Sequence, residues 1–509
     1  MCRFDDMTIR DILKGIDCKI DRGGLDIGVT GITDDSRFVA PGDLFLAVRG
    51  YSVDGHLFIN NAIRSGAKAI VAESNFEAPE TVIKILVKDT RKALSVIASN
   101  FYGHPSERLK IAGITGTNGK TTITYILENI IKCSGCEAGV VGTVSHRIKD
   151  RVIPSKNTTP GVRDLQKMLR EMVEGKVEYA FLEVSSHSLD QGRVEGIEFD
   201  AAVFTNITSE HLDYHRNMED YFKAKAKLFY SLKKDGFAIL NADDEKVISL
   251  KDSLADNILT YGFSEKADVR AENVRLSLEG SAFKVRTPIG TFDIDTKLVG
   301  RHNISNILAS VAVSHVFGVD INAVKEGVDS SIGAPGRLER IDQGQPFMVF
   351  VDYAHTEDAL KNILTLLREV GRRRIITVFG CGGNRDKTKR PAMGKAACSL
   401  SDDVVITSDN PRFEPPECII FDIEKGIEGQ FSNYSVEIDR RVAIEKALRM
   451  ADADDVVVIA GKGHEDYQVI RDKVMPFSDR SVVIDILKKM DYEGKRNNKD
   501  NQGASVIGL

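Results

Sequence analysis

The run Gly113-Ile-Thr-Gly116-Thr117-Asn118-Gly119-Lys120-Thr121-Thr122 holds the residue types that most directly spell a reaction. Its glycines let backbone N–H groups close round phosphate oxygens at the start of a helix. Lys120 adds a point charge, and Thr121 offers a hydroxyl to Mg²⁺. The usual GxxxxGK[ST] spacing is not met, because Ile114 stands where the first glycine belongs and Gly113 and Gly116 are the nearest candidates. A glycine-rich turn without chemistry is the bland alternative. The strand-like run before it, the helix-like run after it and the Lys-Thr-Thr at its end speak against that. The loop marks the handling of a nucleoside triphosphate and leaves motor, kinase and ligase chemistry open.

A second chemical oddity is a lysine inside an apolar stripe. The segment 220–230 reads as a helix whose Tyr221, Phe222, Lys225, Leu228 and Phe229 share one face. Lys223 and Lys227 fall on another face, where water solvates them. A buried ammonium costs several kcal/mol, roughly, unless paired or neutralised. Lys225 therefore either snorkels to solvent along its stem, or is chemically altered or serves the active site. Further polar groups end the strand-like runs nearby: Glu183, Ser185 and His187 after 177–184, and His211, Asp213 and His215 after 199–207. A carboxylate and an imidazole there suit a Mg²⁺ shell.

Elements of a particular kind must position these groups. From Leu109 the chain reads as a buried strand, a turn and a helix, and buried strands follow at 177–184 and 199–207. Such alternation predicts a parallel sheet with ligands at its carboxyl edge. Residues 1–107 mix short strands, at 43–48 and 67–72, with helix-like runs and close on the turn-rich FYGHPSERLK. A further α/β section starts near 334–341, with strands at PFMVFVDYA, RRIITVFG, DDVVITS and DDVVVIAG. The expected division is 1–107, 108–334 and 335–493, with 494–509 a flexible tail.

Bulk properties narrow the class. A chain of 509 residues exceeds one ordinary core. Its net charge of -6 supplies no basic field for nucleic acid or an anionic membrane. Seven scattered cysteines, an odd number, argue against a disulfide framework, and the lone CxxC at Cys133 and Cys136 lacks a second ligand pair. No apolar run is long enough to span a bilayer, and the first residues lack signal-peptide order. A monomeric cytoplasmic enzyme with no nucleic-acid or membrane partner is expected.

Taken together, GTNGKTT (116–122), NTTP (157–160), EVSSHSLDQGR (183–193), NITSEHLDYH (206–215), GRHNISN (300–306), GRLE (336–339), VDYAHT (351–356), FGCGGNRDKTKRP (379–391), SDNPR (408–412) and GKGHEDYQ (461–468) resemble the Mur ligase family over nearly the whole chain. The resemblance implies an α/β, three-domain architecture: an N-terminal domain gripping a UDP-substrate, a central P-loop ATPase-like parallel sheet and a C-terminal Rossmann-like domain bringing an amino acid. DSR at 35–37, with DNPR and GKGHEDYQ, is similar to the branch that adds the third residue of the peptidoglycan stem peptide. The substrates implied are ATP with Mg²⁺, UDP-MurNAc-L-Ala-D-Glu and meso-diaminopimelate.

Site roles follow from the same resemblance. Gly116, Thr117, Asn118, Gly119, Lys120, Thr121 and Thr122 would hold phosphates, with Asn303, Arg337 and Asp352 completing the nucleotide contacts. Ser36, Asn157, Thr158, Thr159, Ser185, Gln191 and Arg193 would hold the UDP-substrate. Thr121, Glu183, His211 and a carbamylated Lys225 would serve the metal, and Lys120, Lys225, Glu183 and His211 the catalysis. Arg385, Asp409, Asn410, Pro411, Arg412, Gly461 and Glu465 would line the diaminopimelate pocket.

The physics of the amino acid agrees. Its distal end carries an ammonium and a carboxylate, so Arg412 and Arg385 suit the carboxylate while Asp409 and Glu465 suit the ammonium. L-lysine, the alternative amino acid, would leave a buried Arg412 unpaired. Folylpolyglutamate synthetase is the nearest rival, and DNPR with the DSR-containing domain speaks against it. Two departures from the family pattern, Glu357 where proline is usual and Asn384 where aspartate is common, remove no proposed catalytic group.

Overall fold

The computed structural model describes residues 7–21, 24–50, 53–208, 210–211, 214–254, 257–371 and 373–490. The expected tail at 494–509, and Asp213, lie outside the described residues. The chain falls into two compact units. One comprises Met1–Asn273, Phe283–Ile294 and Ser305–Ser330; the other comprises Val274–Ala282, Asp295–Ile304 and Ser331–Leu509.

The first unit begins with a five-stranded sheet. Ile32–Thr33, Leu44–Leu46, Ala69–Ala72 and Ile83–Val87 run parallel, and Cys18–Ile20 closes one edge antiparallel. An eleven-stranded sheet follows. In its middle, Lys110–Thr115 lies between Tyr179–Glu183 and Phe199–Phe204, all parallel. The strands expected over 177–184 and 199–207 are therefore present, the first shorter at both ends and the second shorter at its carboxyl end. Their near-continuous apolar character reflects burial on both faces: every residue of Tyr179–Glu183 is buried. Parallel pairing also puts the ends of these three strands, Thr115, Glu183 and Phe204, on one edge. Three segments far apart in sequence are thereby forced to meet.

The helix Lys120–Cys133 starts from the glycine-rich turn and buries Ile123, Ile126, Leu127, Ile130 and Ile131. Against it packs the helix Ile321–Asp329. The two helices approach so closely at Gly327 that a methyl group there would collide with Ile130 Cα.

In the second unit a six-stranded sheet carries Met348–Asp352, Val456–Ala460, Ile375–Phe379, Asp403–Ile406 and Tyr434–Val436 in parallel, with Glu339–Ile341 antiparallel at the rim. The carboxyl ends of these five parallel strands again share an edge. A small antiparallel hairpin, Tyr467–Ile470 with Lys473–Pro476, follows. No helix among the described residues is long and apolar enough to cross a membrane.

Gly327→Ala should destabilise the protein by about 1–3 kcal/mol, because the helix pair cannot part without losing contacts elsewhere. Denaturant unfolding would show this as a lower midpoint, and an unchanged midpoint would contradict the packing described.

Candidate active site

The phosphate loop takes its shape from two glycines in the left-handed region. Gly116 has φ 139° and Gly119 φ 92°. Side chains there would also collide, with Thr205 Oγ1 at Gly116 and with Asn306 Oδ1 at Gly119. The cradle is thus one that a Cβ would fill. Asn206, just past the neighbouring strand, fixes its outer wall: its backbone O accepts from Thr117 N at 2.9 Å, and its Oδ1 accepts from Asn118 N at 2.9 Å. Lys120 starts the helix and turns back, donating to Gly116 O and Thr117 O at 2.8 Å each.

Glu183 ends its strand beside this loop, and its carboxylate is held by the chain itself. Oε2 accepts from Thr121 Oγ1 and from Thr143 Oγ1, both at 2.9 Å, and Oε1 accepts from Thr143 N at 3.0 Å. Thr143 also pairs with Thr158 Oγ1 at 3.0 Å. Thr159 Oγ1 donates to Glu183 O at 2.8 Å, and Arg193 Nη1 donates to Thr159 O at 3.0 Å. Arg193 further holds Gln191 Oε1 at 2.6 Å. Ser185 N donates to Thr159 Oγ1 at 3.3 Å. The structure thus joins Thr158, Thr159, Ser185, Gln191 and Arg193 to the carboxylate and the loop. Asn157 is exposed beyond them, and Ser36 opens a short helical turn, Ser36–Phe38, capped by Asp35.

Lys225 lies on the helix Met218–Ala226, which tightens into a 3-10 turn, Lys227–Ser231, inside the segment expected to be one helix. The anticipated face is buried throughout, and Lys225 does not snorkel: it is 1% exposed. Its Nζ donates to Gly116 O at 2.8 Å and stands 4.6 Å from the centre of the Tyr221 ring. Burial, and next the charge of Lys120, push its pKa well below that of an ordinary lysine, with Glu210 opposing. His211, at φ 56°, packs edge-on against His187 at 4.8 Å and faces Tyr221 at 6.3 Å. Glu183's oxygens go to the threonines, so His211 belongs to a neighbouring aromatic cluster. Among the described residues no three His, Cys, Asp or Glu side chains form a ready metal cage. The hydroxyl of Thr121 and the carboxylate of Glu183 are nevertheless hard oxygen donors of the kind Mg²⁺ takes when phosphates and water supply the rest.

In the second unit, Asp352 ends a strand, and its oxygens accept from the Leu338 and Ala354 amides. Arg337 lies 4.7 Å over the Tyr353 ring, and its buried Nε has no hydrogen-bond partner among the described residues. Asn303 Nδ2 donates to Val299 O at 2.9 Å. On the same sheet edge the DNPR turn is buried from Asp409 to Pro411. Arg412 has φ 53°, and its Nη1 donates to Gly383 O at 2.8 Å. Asn410 Nδ2 donates to Glu465 Oε2 at 2.8 Å. A Cβ on Gly461 would lie 2.8 Å from Asp409 Oδ2, so strand end and turn touch there. Arg385 is exposed on the adjacent loop, its stem near Gly382.

Residues 28–102 match the Mur ligase family catalytic domain, 114–314 the Mur ligase middle domain and 336–463 the Mur ligase glutamate ligase domain. The UDP-N-acetylmuramoyl-L-alanyl-D-glutamate--2,6-diaminopimelate ligase of Geobacillus thermodenitrificans is 45% identical over 470 residues, 91% of this chain and 96% of that protein. The protein of that name from Caldanaerobacter subterraneus subsp. tengcongensis is 44% identical, over 94% of this chain and 99% of its own. A solved structure of a ligase with the same name superposes with TM-score 0.72 at 33% identity, covering 95% of this chain and 99% of that one. The chain belongs to the Mur ligase family.

Three features of this Mur ligase's site carried no readable signal in the sequence. Thr143 sits on a turn with no motif around it, and only the folded sheet brings it to Glu183. Lys462 is hidden inside GKGHEDYQ, where glycines and acids draw the eye. Tyr221 reads as core, yet its hydroxyl lies 3.3 Å from Thr117 Oγ1.

Burying Lys225 should cost stability. Its hydrogen bond to Gly116 O returns about 1 kcal/mol, against several for desolvating an ammonium. The folded pKa is lowered and the unfolded one is ordinary, so the unfolded chain binds more protons. Stability attributable to Lys225 then rises with pH between the lowered value and about 10.4. Lys225→Met in bicarbonate-free buffer should therefore be more stable than the parent at neutral pH, with a flatter rise towards alkaline pH. A less stable variant would contradict this.

Proposed function

We propose that this chain is an ATP-dependent acid–amino-acid ligase that joins meso-diaminopimelate to UDP-MurNAc-L-Ala-D-Glu in peptidoglycan synthesis. The observation that carries the choice of amino acid is the Asp409–Arg412 turn at the sheet edge. There Arg412 spends one donor on Gly383 O and keeps the rest of its fork for a carboxylate, while Glu465, its carboxylate held by Asn410 Nδ2, stands with Asp409 for an ammonium. Relatives named for 2,6-diaminopimelate match over nine-tenths of the chain. Three domains, bounded near 107 and 334, and a monomeric cytoplasmic enzyme complete the reading.

A carboxylate is a poor acyl donor, so its oxygen must first take the terminal phosphoryl group of ATP, with ADP leaving. In our reading the amides of 116–122 and Lys120 hold the phosphate charge, and Asn303, Arg337 and Asp352 contact the nucleotide. Thr121, Glu183, His211 and carbamylated Lys225 would hold Mg²⁺, which supplies positive charge between the reacting anions. Thr158, Thr159, Ser185, Gln191 and Arg193, with Ser36 and Asn157, orient the UDP-substrate. Arg385, Asp409, Pro411 and Gly461 complete the amino-acid pocket. The amine then attacks the acyl carbon, the C–O bond to phosphate breaks, and the nitrogen gives up a proton.

Lys225 suits carbamylation because its depressed pKa leaves a nucleophilic amine. The ammonium first gives up one proton; its nitrogen then bonds the carbon of CO₂, a second proton is released, and a cation beside Lys120 becomes an anion.

ADP release with UDP-MurNAc-L-Ala-D-Glu should depend on meso-diaminopimelate, and L-lysine should substitute poorly. Arg412→Lys should raise KM for diaminopimelate by about tenfold or more while KM for ATP moves less than about twofold. Turnover with lysine alone, or equal loss on both substrates, would overturn the reading.

A further inference from the structure

Lys462 is completely buried at the end of the strand Val456–Ala460, one residue past Gly461. Its Nζ donates to Glu465 Oε2 at 3.0 Å and to Asn410 Oδ1 at 3.2 Å. Asn410 closes the ring by donating from Nδ2 to the same Glu465 oxygen at 2.8 Å. Its Oδ1 takes a second donor, Val469 N, at 2.9 Å. The Tyr467 ring centre lies 5.6 Å from the ammonium.

Two consequences follow for the neighbours. With Lys462 Nζ and Val469 N both pointing at Oδ1, the Asn410 amide has one orientation, because flipping it would set N–H groups against an ammonium. Glu465 takes both donors on Oε2, so neither of them occupies Oε1. A fully buried ammonium is costly unless it is paired and hydrogen-bonded, and this one is satisfied by the two side chains assigned to the amino acid. Its position is therefore tied to theirs. A one-ångström error in such a pair is enough to lose most of its binding value.

We infer that Lys462 is a positioning residue for the amino-acid substrate, holding the Asn410 amide and the Glu465 carboxylate in one arrangement that aims Glu465 Oε1 at the distal ammonium of meso-diaminopimelate. The inference rests on the diaminopimelate reading above. Lys462 touches no substrate atom itself, so its loss should appear in the binding of one substrate and in neither ATP binding nor the chemical step.

Initial-rate kinetics on the full chain test this with Lys462→Met, Glu465→Gln and the double variant. Lys462→Met should raise KM for meso-diaminopimelate by about tenfold, with KM for ATP and kcat within about twofold to threefold. The double variant carries no unpaired buried charge, so it remains informative if Lys462→Met does not fold. Its KM for diaminopimelate should match that of Glu465→Gln within about twofold, as expected when one residue acts through the other. An unchanged KM in Lys462→Met, parallel losses on both substrates, or a further tenfold loss in the double variant beyond Glu465→Gln would overturn the positioning role. A parent enzyme that gives no diaminopimelate-dependent ADP would overturn the diaminopimelate reading itself, and the inference with it.

Discussion

Two lysines, Lys120 and Lys225, donate to one carbonyl, Gly116 O, each at 2.8 Å. Like charges gathered on one oxygen repel where water is excluded, and the pKa of Lys225 is depressed first by its burial and next by the charge of Lys120. The conflict is relieved when one of the two ceases to be a cation. Much of the site depends on this. The left-handed Gly116 sets the carbonyl's direction, Tyr221 floors the buried amine and reaches Thr117, and the helix carrying Lys225 is bound to the core by Phe222, Leu228 and Phe229 on either side of it.

The parallel sheets explain why the other groups gather where they do. Thr115, Glu183 and Phe204 end neighbouring strands on one edge, so the phosphate loop, the carboxylate and residues 205–208 meet without long connections. In the second unit a buried ion pair works behind the site. Arg440 and Asp479 are both 0% exposed, and Arg440 also donates to Ala460 O at 3.0 Å and Ser408 O at 3.4 Å. It thereby ties the residues just before Asp409 and Gly461. Removing Asp479 would leave a buried cation unpaired, which is why such pairs resist change even where they add little net stability.

How far these features were legible in the sequence depended on whether the signal was local. The phosphate loop was readable because glycines, lysine and threonines stand together between a strand and a helix. Lys225 was readable as a violation of an apolar stripe, although only the fold shows that it stays buried. The tightening after Ala226 was not readable, since a 3-10 turn and an α-turn share nearly the same apolar spacing. Thr143, Lys462 and the Arg440–Asp479 pair were invisible for another reason: each acts through a partner brought close by sheet topology. Resemblance named Asp409–Arg412 and Glu465, and physical reading of the structure adds Lys462, the group that holds them together.

The central claim is that a carboxylate is activated by phosphoryl transfer before the amide forms. Isotope transfer tests it most directly. UDP-MurNAc-L-Ala-D-Glu carrying ¹⁸O in the acceptor carboxylate is turned over with ATP and meso-diaminopimelate, and the released phosphate is analysed by mass spectrometry. The account expects one carboxylate oxygen to appear in each phosphate released. Phosphate free of label, with amide formed, would contradict it.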